Sequence, residues 1–446
     1  MYTHIRLTNF KAFEKANAQL GPITLILGPN NAGKSSIIAA FRLLVQTIES
    51  PDFEVPLLLD GILGDFGTYK DIVYGNHRGR AFGIELDRVA QEEDGFYGKI
   101  SGVASLGLEY KYRTKRREVV LKSTRLRLDG EPLITTQYST DAERQLITRV
   151  GYRTVPPGLR GGLSELLRMY HFLPQTVGLY AARRSGEQLR EFVTDNAQQI
   201  LRMSTSVGGV LMNGLRGTEY LGAMRAAPSR TYLVTGERRR RVGSSGEHAA
   251  SMLMLDSFRT GKRKRELSAK VGRWLKSAGI ARAVQVEMIS DRHYELRVSH
   301  FTTGETENIA DVGFGNSQVI PVLVAGYSLS SGATLLVEEP EIHLHPRAQA
   351  ELGQLFLELF QGGIQTVVET HSEHLVLRMQ SFVASGHLRP EDLCVLYVHA
   401  IGDKKKVTRL RVDKRGHFID EWPGGFFPER IEEAKRLARL RHRAQA

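Results

Sequence analysis

Apolar and polar positions divide the chain into four stretches. In the first, Ile5, Leu7 and Phe10 predict a strand. Ile23-Thr24-Leu25-Ile26-Leu27 is a short apolar run closed by Gly28 and Pro29, the mark of a buried strand. Ile37, Phe41, Leu44 and Ile48 then recur at helical spacing, with Ile38 and Val45 widening the stripe. From Ala81 to Ser139 the period changes to alternation. Gly83-Ile84-Glu85-Leu86, Val119-Val120-Leu121 and Leu126-Arg127-Leu128 predict antiparallel strands with charged outer faces.

Between Leu163 and Ala278 the pattern is mostly helical, broken by an Arg- and Gly-rich loop from Arg225 to Gly246. No sustained heptads run through it, so long coiled-coil arms are not expected. The last third returns to α/β order. A helix over Asn316 to Leu329 leads to a strand at Thr334 to Val337. A helix around Ala348 to Leu359 leads to a strand at Ile364 to Val368. Further strands are expected at Leu393 to Val398 and Val407 to Val412, and an amphipathic helix from Glu429 onward. There are no internal repeats or low-complexity tracts.

Composition narrows the class. The 446 residues suit two or three compact units, and 41% hydrophobic with 25% charged residues supports a real core. The single cysteine, Cys394, excludes an intrachain disulfide and fits a reducing cytoplasm. The N-terminus lacks the apolar run of a signal peptide. The stretch Val319 to Ala325 is far shorter than the ~20 residues of a membrane span. The expectation is a soluble cytoplasmic protein without membrane contact. The net charge of +12 is clustered at Lys111 to Arg117, Arg238 to Arg241, Lys262 to Arg265 and Lys435 to Arg443. These clusters suit a solvated surface, weak nucleic-acid binding or an acidic partner.

Three motifs carry chemistry. Gly28-Pro29-Asn30-Asn31-Ala32-Gly33-Lys34-Ser35 is a full match to G-x-x-x-x-G-K-[ST], lying between an apolar strand and an amphipathic helix. Its backbone N–H groups, with Ser36 just beyond, would cradle phosphates at a helix N-terminus. Lys34 would neutralise the β- and γ-phosphates and Ser35 would place its hydroxyl on Mg²⁺. Leu335-Leu336-Val337-Glu338-Glu339-Pro340 ends an apolar strand in two carboxylates. Glu338 is the candidate for the magnesium shell, and Glu339 the one that orients or deprotonates a water. Val367-Val368-Glu369-Thr370-His371-Ser372 ends another strand in polar groups, where His371 can hydrogen-bond a γ-phosphate.

This order of motifs resembles ABC-type ATPases, nearest the branch of SMC, RecF and OLD proteins. Asn9-Phe10-Lys11-Ala12-Phe13, Glu338-Glu339-Pro340-Glu341-Ile342-His343-Leu344-His345-Pro346, Glu369-Thr370-His371-Ser372-Glu373-His374 and Trp422-Pro423-Gly424-Gly425-Phe426-Phe427 are similar to words of that branch's stand-alone bacterial AAA-labelled ATPases. Such ATPases commonly work in anti-phage defence, as in the Septu and PARIS systems. The resemblance covers both ends of the chain better than its middle.

The resemblance implies an α/β fold: an ABC-ATPase-type head with a mixed sheet, an antiparallel β subdomain and a mostly helical insertion. Its parts would be an N-terminal lobe over residues 1–150, the insertion over 151–300 and a C-terminal lobe over 301–446. It also implies ATP and Mg²⁺, with slow or regulated hydrolysis. Gly313-Phe314-Gly315-Asn316-Ser317-Gln318 stands where the family's signature lies, which gives Gly315, Ser317 and Gln318 a role on the γ-phosphate held by the opposite subunit. It departs from the usual Leu-Ser-Gly-Gly-Gln. Glu338 stands where many relatives carry Asp, and the segment at the Q-loop position, Gly64 to Asp71, holds no glutamine. His343 and His345 fall in the family's D-loop.

Implied partners are a second copy, in a homodimer or higher even oligomer, and a protein effector such as a nuclease or toxin. Only 75 residues follow His371, too few for the Toprim nuclease of OLD proteins. The alternative is a DNA-repair or DNA-structure ATPase of RecF or SMC type, which shares every catalytic residue. A transporter ATPase is disfavoured by the size of the insertion.

Overall fold

The computed structural model describes residues 1–176, 187–261, 264–423, 425 and 435–437. The chain starts with a hairpin, β1 (Tyr2–Phe10) and β2 (Phe13–Gln19), then β3 (Ile23–Leu27) and helix α1 (Lys34–Ile48). Two short strands, β4 (Asp60–Gly61) and β5 (Gly64–Asp65), and a one-turn helix α2 (Tyr69–Ile72) lead to a meander. The meander is β6 (Phe82–Gly95), β7 (Gly98–Arg113), β8 (Glu118–Leu128), β9 (Glu131–Ser139), β10 (Arg144–Val150) and β11 (Arg153–Thr154).

The middle third holds α3 (Pro157–Leu166), β12 (Leu167–Tyr170), β13 (Leu173–Thr176), α4 (Glu187–Phe192), α5 (Asp195–Arg216) and β14 (Thr218–Leu221). It continues with β15 (Tyr232–Leu233), α6 (Ala249–Ser257), α7 (Leu267–Ser277), β16 (Ala281–Ser290) and β17 (His293–His300). The last third is β18 (Thr306–Asn308), α8 (Phe314–Ser328), β19 (Thr334–Glu338), α9 (Pro346–Gln361), β20 (Gln365–Glu369), α10 (Glu373–Ala384), β21 (Leu393–Ile401) and β22 (Lys404–Leu410).

Two sheets organise these elements. The central sheet runs β14-β19-β20-β3-β21-β22, all parallel except the antiparallel edge strand β22. The second is an eight-stranded antiparallel sheet, β11-β10-β9-β8-β7-β6-β1-β2. A smaller sheet of β15, β17, β16 and β18 joins the helical side.

Alternation along each central strand explains the layers, since successive side chains point to opposite faces. Ile26, Leu336, Val367 and Leu396 face a core shared with α1, α5 and the antiparallel sheet. Leu25, Leu335, Val337, Val368 and Val395 face a second core with α6 to α10. Strands covered on both faces read as unbroken apolar runs, which is why β3, β19 and β20 stand out in the sequence. The run Val319 to Ala325 is buried throughout because α8 lies inside the second core. No described helix is long and apolar enough to cross a membrane.

The mixed sheet, the antiparallel sheet and the α/β class agree with the expectation. The middle third differs. It carries helices α3 to α7 but also strands β11 to β17, so it is not mostly helical throughout. The loop from Arg225 to Gly246 likewise holds the two-residue strand β15. Strand β14 is only four residues long and buried on both faces, too short to show a period, and it belongs to the central sheet. Residues 262 and 263, most of the C-terminal basic stretch and nearly all of the helix expected from Glu429 lie outside the described residues.

One buried side chain ties the two large sheets together. Gln365, at the start of β20, accepts the N–H of Tyr2 at 2.8 Å and donates to the carbonyls of Tyr2 (2.7 Å) and Gly21 (2.9 Å). Gln365→Leu leaves these buried backbone groups without that partner, and each lost bond costs about 1–3 kcal/mol. The expected loss is roughly 2–4 kcal/mol in urea unfolding. A change below about 1 kcal/mol would show that the junction is held by apolar packing alone.

Candidate active site

The parallel strands aim their C-terminal ends at one edge of the central sheet, and the predicted motifs meet there. The loop after β3 turns through Asn31 (φ 60°) and Gly33 (φ 103°) into α1. A Cβ on Gly33 would stand 2.6 Å from the Cβ of Ala12, so the hairpin turn between β1 and β2 braces the loop from behind. Asn30, Asn31 and Ser35 are exposed, Gly28 and Gly33 half-buried, and Ala32 and Ser36 buried. Lys34 is buried and bends back, donating to the carbonyls of Gly28 and Pro29, both at 3.1 Å. Burial lowers its pKa, while Glu369, Glu339 and Glu341 oppose that shift.

The acidic strand ends come next. β19 and β20 pair in register, Glu338 beside Glu369, and Glu369 stands beside Ile26 of β3. Glu369 accepts a hydrogen bond from the Ser35 hydroxyl at 3.1 Å and lies 3.8 Å from the Lys34 ammonium. Glu338 lies 3.8 Å from Arg42, which stacks over the rings of Tyr220 and Phe66. Burial, with the charge of Glu338 added, pushes the Glu369 carboxyl up to about 7. Burial also raises Glu338.

Glu339 and His371 form the outer part of the site. Their side chains approach to 4.0 Å and keep 34% and 39% exposure, whereas Lys34 and Glu369 are nearly sealed. Glu339 sits in the left-handed region at φ 43°, and its N–H donates to the Glu369 carbonyl at 2.7 Å. The His371 pKa is lowered by burial and by Lys34, which favours the neutral ring. Buried Glu341 accepts the Thr370 hydroxyl (2.7 Å) and the His371 N–H (2.5 Å), and so sets the loop that carries the histidine.

Sequence comparison bears on this edge. The family described as "AAA ATPase domain" matches residues 1–116, which hold the Gly28–Ser36 loop. The family described as "AAA domain, putative AbiEii toxin, Type IV TA system" matches residues 254–378, which hold Glu338, Glu339 and His371. Both halves of the site lie within residues that match AAA-type ATPase family models. No curated protein matches the chain.

Three solved structures are similar in fold at 10% identity each. The SMC head bound to the C-winged helix domain of ScpA has a TM-score of 0.46, over 93% of this chain and 98% of that one. The SMC head domain from Thermotoga maritima has 0.41, over 92% and 99%. The Smc head domain with an extended coiled coil, bound to the C-terminal domain of ScpA derived from Pyrococcus furiosus, has 0.42, over 92% and 96%.

The donor set of this site fits magnesium. Glu338 and Glu369 each carry a buried carboxylate oxygen without a hydrogen-bond partner among the described residues, and the Ser35 hydroxyl stands beside Glu369. These are hard oxygen donors. No cluster of three or more His, Cys, Asp or Glu forms a metal cage among the described residues. Magnesium commonly binds through one or two carboxylates together with water and substrate phosphates.

Gly315, Ser317 and Gln318 are placed differently. They belong to the first turns of α8, where Ser317 and Gln318 are buried within their own chain. A Cβ on Gly315 would meet the His343 carbonyl at 2.7 Å. Glu369, Glu341, Arg42, Tyr220 and Arg225 were not among the predicted site residues. Glu369 has a signal in hindsight, since it ends the strand that carries His371, but its role depends on which strand lies beside β3.

The raised Glu369 pKa has a measurable consequence. Between the ordinary 4.5 and about 7 the folded state binds more protons than the unfolded state. Stability of the nucleotide-free protein therefore falls as pH rises through that window. Glu369→Gln removes the penalty, so the variant gains roughly 1–3 kcal/mol over wild type at pH 8 and little at pH 5. Urea unfolding of both proteins at the two pH values measures it, and equal gains at both would contradict the assignment.

Proposed function

We propose that the protein binds ATP with magnesium and hydrolyses it to ADP and phosphate, slowly or under regulation, at composite sites between two copies. The observation that carries this reading is the contrast within the site. Lys34, Glu338 and Glu369 form a packed floor with the Ser35 hydroxyl at its open rim, while Glu339 and His371 remain a third exposed above it. A phosphate chain laid on this floor presents its terminal group to Glu339 and His371.

In this reading Lys34 exchanges the carbonyls of Gly28 and Pro29 for phosphate oxygens, and the N–H groups at the start of α1 complete the cradle. Ser35 and Glu338, with Glu369 beside them, would hold magnesium, which supplies charge neutralisation between the β- and γ-phosphates. Glu339 orients the attacking water and draws off its proton. Neutral His371 donates a hydrogen bond to the γ-phosphate. The N-terminal turn of α8 in a second copy closes the exposed side, with Gly315, Ser317 and Gln318 shaping that turn from within. No step needs a metal beyond magnesium or any further cofactor.

We assign the protein to bacterial defence, as a sensor or scaffold ATPase that controls a separate effector such as a nuclease or toxin. Support comes from the motif resemblance and from the matched family, whose description names a putative toxin of a type IV toxin–antitoxin system. A second reading, an ATPase acting on DNA, has one observation in its favour. A cleft of about 1050 Å³, at the edge of the central sheet opposite the site, is lined by Arg216 and Arg238 to Arg241. Glu49, Glu219, Glu237 and Glu247 share the lining, which leaves a weak positive balance.

Glu339→Gln is expected to bind ATP, to hydrolyse it about 100-fold or more slowly, and to accumulate a dimer visible by light scattering. Unchanged phosphate release would move the catalytic role to another carboxylate.

Composite sites make two inactive variants complementary. Lys34→Ala lacks the phosphate cation. Gly313→Arg blocks the α8 turn at an exposed position where a side chain meets nothing within 4 Å in its own chain. Each alone is expected to lose ATPase activity, and their mixture to regain part of it once subunits exchange. Continued inactivity after proven exchange would refute a site completed by the second copy.

Nucleic-acid binding through the arginine cleft is expected to be weak and salt-sensitive, with a slope of about −0.9 per neutralised duplex phosphate. Measured by fluorescence anisotropy, tight binding that survives high salt would favour the DNA reading.

A further inference from the structure

Arg225 lies outside every motif above, yet it is buried against the acidic strand. The edge strand β14 ends at Leu221, beside β19, and the chain then passes the C-terminal end of β19. Arg225 is 8% exposed. Its Nη2 donates to two main-chain carbonyls, Glu338 at 2.8 Å and Glu339 at 3.1 Å. Glu338, Glu339 and Glu341 surround the buried cation, which burial brings down to about 10 and which therefore stays charged at neutral pH. Nε and Nη1 are buried with no hydrogen-bond partner among the described residues. A buried guanidinium with unused donors is costly, so its retention needs a reason beyond packing.

The carbonyls it holds belong to the strained part of the site. A residue with a side chain at φ 43° persists only where its surroundings impose that geometry. The Glu369 carbonyl holds the N–H of Glu339 on one side, and Arg225 holds its C=O on the other. Arg225 itself rests on a second loop. The N–H of Ala226 donates to the Ser245 carbonyl and that of Gly222 to the Ser244 carbonyl, both at 2.8 Å. Glu247 accepts the N–H and hydroxyl of Ser245. Gly246 follows at φ 75°, where a Cβ would stand 2.4 Å from Pro321 of α8 if one were added, and its neighbour could not give way. A continuous line of contacts thus runs from α8 through Gly246, Ser245 and Ala226 to Arg225 and on to Glu339.

We infer that Arg225 is a positioning residue that fixes the main chain of Glu338 and Glu339, so that the Glu339 carboxylate stands opposite His371, and that it ties this geometry to helix α8. The inference rests on the ATPase reading given above. It gives α8 a second part in the same reaction. A copy that docks against the first turn of α8 shifts the loop on Pro321, and Arg225 carries that shift to Glu339 within the same chain. Arg225 does not touch the phosphates in this scheme. It sets the step at the water and not the affinity for nucleotide.

The full-length Arg225→Lys and Arg225→Gln variants test this. Phosphate release gives kcat and KM, a fluorescent ATP analogue gives Kd, and thermal unfolding shows that the variants fold. The expected result is kcat down about 100-fold for Gln and about 10-fold for Lys, whose ammonium still donates to both carbonyls, with KM and Kd within about threefold of wild type. If the Gln variant fails to fold, the Lys variant carries the test through its kcat and Kd. Unchanged kcat in a folded variant overturns the assignment. Parallel losses in Kd and kcat overturn it too, since Arg225 would then serve binding or the fold as a whole, and so does a Lys variant that cannot fold. A wild type that binds the analogue but releases no phosphate overturns the ATPase reading itself and this assignment with it.

Discussion

Two carboxylates forced side by side in a dry place set the terms for this structure. The in-register pairing of β19 and β20 puts Glu338 next to Glu369, and the pairing of β20 with β3 puts Glu369 next to Lys34. Like charges removed from water disfavour one another. The neighbours answer in three ways: Glu369 shifts toward its protonated form, Lys34 turns inward, and Arg42 approaches Glu338. The orphaned oxygens that remain match the chemistry of a divalent cation and its phosphates. Without them the edge of the sheet holds charge that its own chain does not fully compensate.

The rest of the architecture steadies this edge from outside. The antiparallel sheet supplies the hairpin turn behind Gly33, and Gln365 locks the start of β20 to the first strand of that sheet. On the other face, α8 and the loop around Gly246 press on the segment that carries Arg225. Gly246 in the middle third is therefore a close-packing position. Gly246 fits against Pro321 because it has no side chain.

Much of this was legible in the sequence, and the limits have physical causes. Strands β3, β19 and β20 were readable because burial on both faces removes their polar residues, and α1 because one broad stripe faces the core. Lys34, Ser35, Glu338, Glu339 and His371 were singled out because each is adjacent to such an element, and the fold brings them to one edge of the central sheet. Strand β14 was missed because four residues show no period. Glu369 and Arg225 were given no role for a different reason. Their roles come from strand order and from contact between residues as far apart as Arg225 and Glu338, 113 positions along the chain. The first turns of α8 were located correctly in the chain, but the inward direction of Ser317 and Gln318 depends on how that helix packs.

The place of β3 in the central sheet bears on how the chain comes to be folded at all. Its five residues are all apolar or buried, and both its neighbours, β20 and β21, lie near the far end of the chain. Ser35 and its partner Glu369 are separated by 334 positions. At a synthesis rate of about 5–20 residues per second, the emerging β3 waits on the order of tens of seconds for a strand to pair with. Through that interval it is an unpaired apolar edge, the kind of segment that invites mispairing between nascent chains. The neighbouring antiparallel sheet is built from strands that all lie in the first 154 residues and can close early, with α1 packed in the core it shares. A translating ribosome therefore carries a half-made protein whose Gly28–Ser36 loop is complete in sequence, while the acidic strand ends that pack beside it in the finished fold are added only when the last third has emerged.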